Sequence, residues 1–147
     1  MELHTASEVI SFAKKLESES AGFYKDLSQK YAKDKDIFLS LAQENERNIK
    51  QIERAYYGVI TDAIEGCFSF NINPGKYTFK AELAEKVGCS EALDMAVEIE
   101  QKIMKFYSDA AEQSASLLAD IPRTFTLIAK KRGNRVSKLG SLIGKEV

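Results

Sequence analysis

Apolar residues recur every three or four positions through four stretches of the chain, and each stretch predicts a helix that buries one face. In residues 7–31, Ile10, Ala13, Glu17, Ser20, Tyr24, Leu27 and Tyr31 share a stripe, widened by Val9, Phe12, Leu16 and Phe23. Thr5, with Glu8 three residues on, predicts a capping box at its start. A second helix is expected to begin after Asp34 or Asp36, with Phe38, Leu41, Asn45, Asn48 and Ile52 in line towards Tyr56. A third follows Ser90 as N-cap and aligns Leu93, Ala96, Glu100, Ile103, Tyr107 and Ala110. A fourth follows Asp120 as N-cap, tolerates Pro122 in its first turn, and aligns Phe125, Ile128, Arg132, Arg135, Leu139 and Leu142.

Residues 62–89 break this period. Gly66, Asn71, Asn73, Pro74 and Gly75 punctuate the stretch, and residues 67–72 alternate like an extended segment. A short helix is predicted over Phe79–Val87, stopped by Gly88. The flanking halves repeat. Ser7-Glu8-Val9-Ile10 falls on Ser90-Glu91-Ala92-Leu93, Ala13 on Ala96, Glu17 on Glu100, Phe23-Tyr24 on Phe106-Tyr107 and Asp26 on Asp109. After a small shift, Phe38, Leu41 and Ala42 fall on Phe125, Ile128 and Ala129. Two repeated helical hairpins joined by a longer crossover predict an all-α four-helix bundle, with residues 1–147 as one domain.

Each inner stripe carries polar side chains at its middle: Glu17, Asn45 with Asn48, Glu100, and Arg132 with Arg135. Spacing i, i+3 puts each pair on one face, so bundle packing brings all six into one layer. Buried charges must be paired or must hold an ion. Three phrases carry a likeness to a known family: Leu16-Glu17 followed by Phe23-Tyr24, Ile99-Glu100 followed by Tyr107, and Leu41-Ala42-Gln43-Glu44-Asn45-Glu46-Arg47-Asn48. In these the chain resembles the rubrerythrin-like branch of the ferritin-like superfamily, over nearly its whole length apart from the crossover.

That resemblance implies a ferritin-like bundle and a family site of two iron ions, held by one Glu from each of two helices and Glu-x-x-His from each of the others. Glu17 and Glu100 occupy the single-Glu positions. Asn45-x-x-Asn48 and Arg132-x-x-Arg135 stand where the family has Glu-x-x-His. Four of the six ligand positions have therefore changed, and the single histidine, His4, lies outside the bundle stripes. Two neighbouring carboxylates in a protein interior repel unless a cation lies between them. Here two guanidiniums are expected to supply that charge in fork geometry, making a neutral layer with Asn45 and Asn48 completing its hydrogen bonds. Glu44 and Glu46 sit one residue off the stripe and are expected on a solvated face beside Arg47 and Lys50. Tyr24 and Tyr107 are expected in the core, with each hydroxyl finding a partner.

The expected function is a degenerate rubrerythrin-like protein without a di-metal centre, acting as a structural or interaction module. One alternative is a di-iron, peroxide-reducing oxidoreductase with an unusual ligand set. Another is a small-ligand site along the crossover, near Phe68, Phe70, Tyr77 and Phe79. Composition narrows the partners. Of 147 residues, 44% are hydrophobic and 29% charged, with 21 basic against 22 acidic side chains, so neither nucleic acid nor an anionic membrane is expected as the main partner. No apolar run approaches the ~20 residues of a membrane span, and no secretion signal is visible. Cys67 and Cys89 form no Cys-x-x-Cys pair and read as reduced thiols in a cytoplasmic protein. The paired cysteines of the family's small iron domain are likewise missing from this sequence. Acidic residues over 81–119 and basic ones on the last helix are expected to attract one another. Ala129, Gly133, Gly140 and Gly144 line a small-residue stripe that predicts close approach of another backbone; the resemblance implies pairing of bundles, and with this stripe as a flat surface a homodimer is expected.

Overall fold

The computed structural model describes residues 2–59, 68–115 and 120–146. Four helices of near-equal length dominate it: α1 (Ala6–Lys30), α2 (Lys35–Val59), α3 (Cys89–Gln113) and α4 (Asp120–Glu146). They form an all-α four-helix bundle in which α1 packs chiefly on α2, and α3 on α4, while α2 also meets α4 and α1 meets α3. The core lies where the predicted stripes meet. Leu93, Ala96, Glu100, Ile103, Tyr107 and Ala110 of α3 are all buried, as are Phe125, Ile128, Arg132, Arg135, Leu139 and Leu142 of α4. Tyr24 stacks on Phe38 at 6.5 Å between ring centres, and Tyr107 lies 5.9 Å from Phe125.

Helix α1 begins at the predicted capping box. Thr5 Oγ1 accepts from Glu8 N at 3.1 Å, and Glu8 Oε1 accepts from Thr5 N at 3.0 Å and from His4 N at 3.1 Å. These backbone donors hold the Glu8 carboxyl below its ordinary pKa. Just before it lies β1 (Leu3–Thr5), which pairs antiparallel with β2 (Phe68–Ile72). Leu3 faces Ile72 and Thr5 faces Phe68, with an irregularity between. Gln113 at the end of α3 bonds Asn71 N and Asn71 O, occupying polar backbone on β2.

Four expectations about the elements are corrected. Asp120 is not the N-cap of α4 but lies within its first turn. Ser90 is not the N-cap of α3, because that helix starts at Cys89 with Gly88 in the cap position. The predicted helix over Phe79–Val87 does not form. Its carbonyls bind side chains instead: Lys30 Nζ donates to Ala84 O and Glu85 O, each at 2.7 Å, and Tyr31 OH donates to Val87 O at 2.7 Å. A nine-residue helix is too short to hold itself against such competition. The small-residue stripe is not one flat seam. A Cβ at Gly133 would meet Met104 Sδ at 3.4 Å, inside the α3–α4 contact, whereas one at Gly140 would meet nothing within 4 Å. Cys67 lies outside the described residues. Among those described, no helix is long and apolar enough to cross a membrane.

Candidate functional site

All six polar residues of the predicted layer are buried and adjacent. Arg132, at the middle of α4, is fully enclosed, and its guanidinium reaches both carboxylates at once. Nη1 donates to Glu100 Oε1 and Oε2, each at 2.8 Å, and to Ser20 Oγ at 3.2 Å. Nη2 donates to Glu17 Oε2. Arg135, three residues on, donates through Nη1 to Glu100 Oε1 at 3.0 Å and through Nη2 to Leu41 O at 2.9 Å. Its guanidinium carbon also lies 5.7 Å from the centre of the Tyr24 ring.

The tyrosines close the layer crosswise. Tyr24 of α1 donates to Glu100 of α3 at 2.6 Å, and Tyr107 of α3 donates to Glu17 of α1 at 2.9 Å. Burial, then the carboxylate each one faces, pushes both phenols well above their ordinary pKa. Asn48 Nδ2 donates to Glu17 Oε1 at 3.1 Å, and Asn45 Nδ2 to Glu17 O at 3.4 Å. Only the donors of these asparagines are used. Asn45 Oδ1, Asn48 Oδ1 and Arg132 Nε have no hydrogen-bond partner.

Two details depart from the sequence reading. Glu44 is not simply solvated. Its Oε1 accepts from Arg135 Nε at 3.1 Å, with the side chain 34% exposed. Glu46, by contrast, is exposed and pairs with Lys25. The second departure is the pairing pattern. Rather than one fork per carboxylate, Arg132 bridges Glu17 and Glu100, while Arg135 bridges Glu100 and Glu44. With Glu44 included, three carboxylates share two guanidiniums.

This unequal sharing separates the two inner carboxyls. Burial raises the pKa of each. At Glu100 the charges of Arg132 and Arg135, with hydrogen bonds from Arg132 and Tyr24, outweigh burial and hold the carboxyl below its ordinary value. At Glu17 burial wins over Arg132, Arg135 and Tyr107, and the carboxyl is raised. Arg132 is also buried, but Glu100 and Glu17 raise its pKa and keep it charged.

The donor set does not fit the pair of iron ions that the family resemblance implies. A guanidinium already bonds both carboxylates, and two divalent ions beside two guanidiniums would meet strong Coulomb repulsion. No three His, Cys, Asp or Glu side chains come together to hold a metal among the described residues. His4 lies on β1, with Nδ1 3.2 Å from Phe70 O.

Of the crossover aromatics considered from sequence, the described ones do not share one pocket. Phe70 and Tyr77 are buried in the core, and Tyr77 packs on Phe106 while donating to Asp109 Oδ2 at 2.5 Å. Of the four aromatics, Phe79 borders a groove. The side chain of Phe68 lies outside what is described. No family model, no curated protein and no solved structure matches the chain.

Proposed function

We propose that the chain is a rubrerythrin-like, ferritin-like bundle whose di-iron centre has been replaced by an arginine-centred ion-pair layer. In this reading it serves as a structural or interaction module in the cytoplasm, with a second copy of itself as partner. The observation that carries the reading is the Arg132 guanidinium, bonded to Glu17 and Glu100 together. These are the two positions where the family's single-Glu ligands would stand. The layer's acid–base character points the same way. Its tyrosines are held as phenols, Arg132 as a cation, and Glu100 as an anion. Such a set stores no electrons, and the family's redox chemistry belongs to its cofactor.

Thermal melts of chelator-washed protein, with and without added ferrous iron, test this. The expected result is the same melting temperature in both, because only a ligand that binds the folded state shifts it. A saturable upward shift, abolished in Glu17→Gln or Glu100→Gln, would favour the di-iron oxidoreductase instead.

A further inference from the structure

A groove and a ridge on opposite sides of the bundle are each apolar at the centre and are bordered mainly by charges of opposite sign. On the α1–α3 side, the crossover is strapped down by Lys30, by Tyr31 and by Lys102, whose Nζ donates to Thr78 O at 2.9 Å. Between this segment and α3 runs a groove of about 360 Å³. Phe79, Val87, Met95 and Ile99 form its apolar wall, and the exposed carboxylates Glu82, Glu91 and Glu98 border it, with Lys80 as the cation among its lining residues. On the α2–α4 side, Leu127 is 42% exposed, and with Tyr57 it makes up the exposed large apolar side chains among the described residues. Arg123 and Lys131 lie one helical turn to either side of Leu127, and Lys130 three residues on. Arg54 of α2 lines the same cleft as Arg123, with Asp120 as the carboxylate among its lining residues.

The groove takes an apolar side chain ringed by cations, and the α4 ridge presents one. Neither face pairs with itself, since like charges would meet. We propose that the α4 ridge centred on Leu127 of one molecule docks into the Phe79–Ile99 groove of another, so that the chain associates head to tail. This names the surfaces for the interaction role given above and rests on that role, but not on the chemistry of the core layer. Because ridge and groove lie on opposite sides, one two-fold axis cannot satisfy both within a single interface. The contact is heterologous, and it builds a ring or an open chain of copies rather than a closed pair.

Light scattering of the full chain at low and high salt, with two surface variants, tests the proposal. At low salt the wild-type mass should grow beyond a dimer with concentration. It should fall to the monomer at high salt, where exposed charges are screened over ~3 Å at 1 M. Leu127→Asp blocks the ridge, and Glu82→Lys with Glu98→Lys blocks the groove. Each alone should be monomeric with unchanged helical circular dichroism. Mixed, they should form a dimer that grows no further, since each supplies the face that the other lacks. Arg123→Glu with Lys130→Glu serves as a second ridge variant. A wild-type monomer at every concentration and salt would overturn the proposal and leave the two faces to other partners. A closed dimer untouched by either variant, or a mixture that stays monomeric, would overturn it equally. Iron content plays no part in these readouts, so failure here is distinct from failure of the ion-pair reading.

Discussion

Arg132 places one fully buried guanidinium between two buried carboxylates, so its removal leaves Glu17 without an arginine and Glu100 with Arg135 alone. Arg132→Ala is expected to lower stability by roughly 3–5 kcal/mol in urea denaturation. Arg135→Ala should fall below that, because Glu100 keeps Arg132 and the half-buried Glu44 can be hydrated. Asn45 offers the contrasting case. It makes one long bond and buries an unpaired oxygen, so Asn45→Leu should change stability by less than ~1 kcal/mol. The two glutamates should respond to pH in opposite senses. Glu17 has a folded pKa above its unfolded value, so its contribution is largest below the unfolded value and is lost as pH rises through the folded one. Glu17→Gln should therefore gain on the wild type across that rise. Glu100 has a lowered folded pKa, so its stabilisation is present above the unfolded value and is lost as pH falls through the folded one. The deficit of Glu100→Gln should close on acidification. Denaturation curves at a series of pH values check both. The six layer residues were legible because each interrupts an apolar stripe at helical spacing. Glu44 was not, since a side chain as long as Arg135 reaches past the stripe that sequence periodicity defines.

The four helices were legible for the same reason: long stripes with capping signals outweigh local ambiguity. The capping box of α1 is a direct example, and Thr5→Ala should lower stability by about 1 kcal/mol in the same denaturation assay. Gly140 lies within α4 with open space where a Cβ would stand, so Gly140→Ala should raise stability by ~0.5–1 kcal/mol. A loss there would mean that the position meets a surface outside the chain. Elements fixed by distant partners were less legible. Strand β1 is three residues long and exists because β2 arrives from the crossover, which no local pattern announces. The segment over 79–87 has the composition of a short helix, but Lys30 and Tyr31 from α1 claim its carbonyls.

At the scale of the whole molecule, the two halves exchange equivalent bonds across the core, Tyr24 with Glu100 and Tyr107 with Glu17. Ion pairs from α4 to both α1 and α3 tie the halves together at the same level. The predicted attraction between acidic and basic segments is met inside the bundle, where Arg132 and Arg135 pair with Glu100. On the surface, Glu82, Glu91 and Glu98 border the groove, and Arg123, Lys130 and Lys131 flank Leu127 on α4. The account depends on a guanidinium standing where the family resemblance would place ions. Elemental analysis of the purified chain after expression in iron-replete medium addresses this most directly. The account predicts no iron above background in the wild type, and none in Glu17→Gln or Glu100→Gln. About two irons per chain in the wild type, lost in either variant, would contradict it.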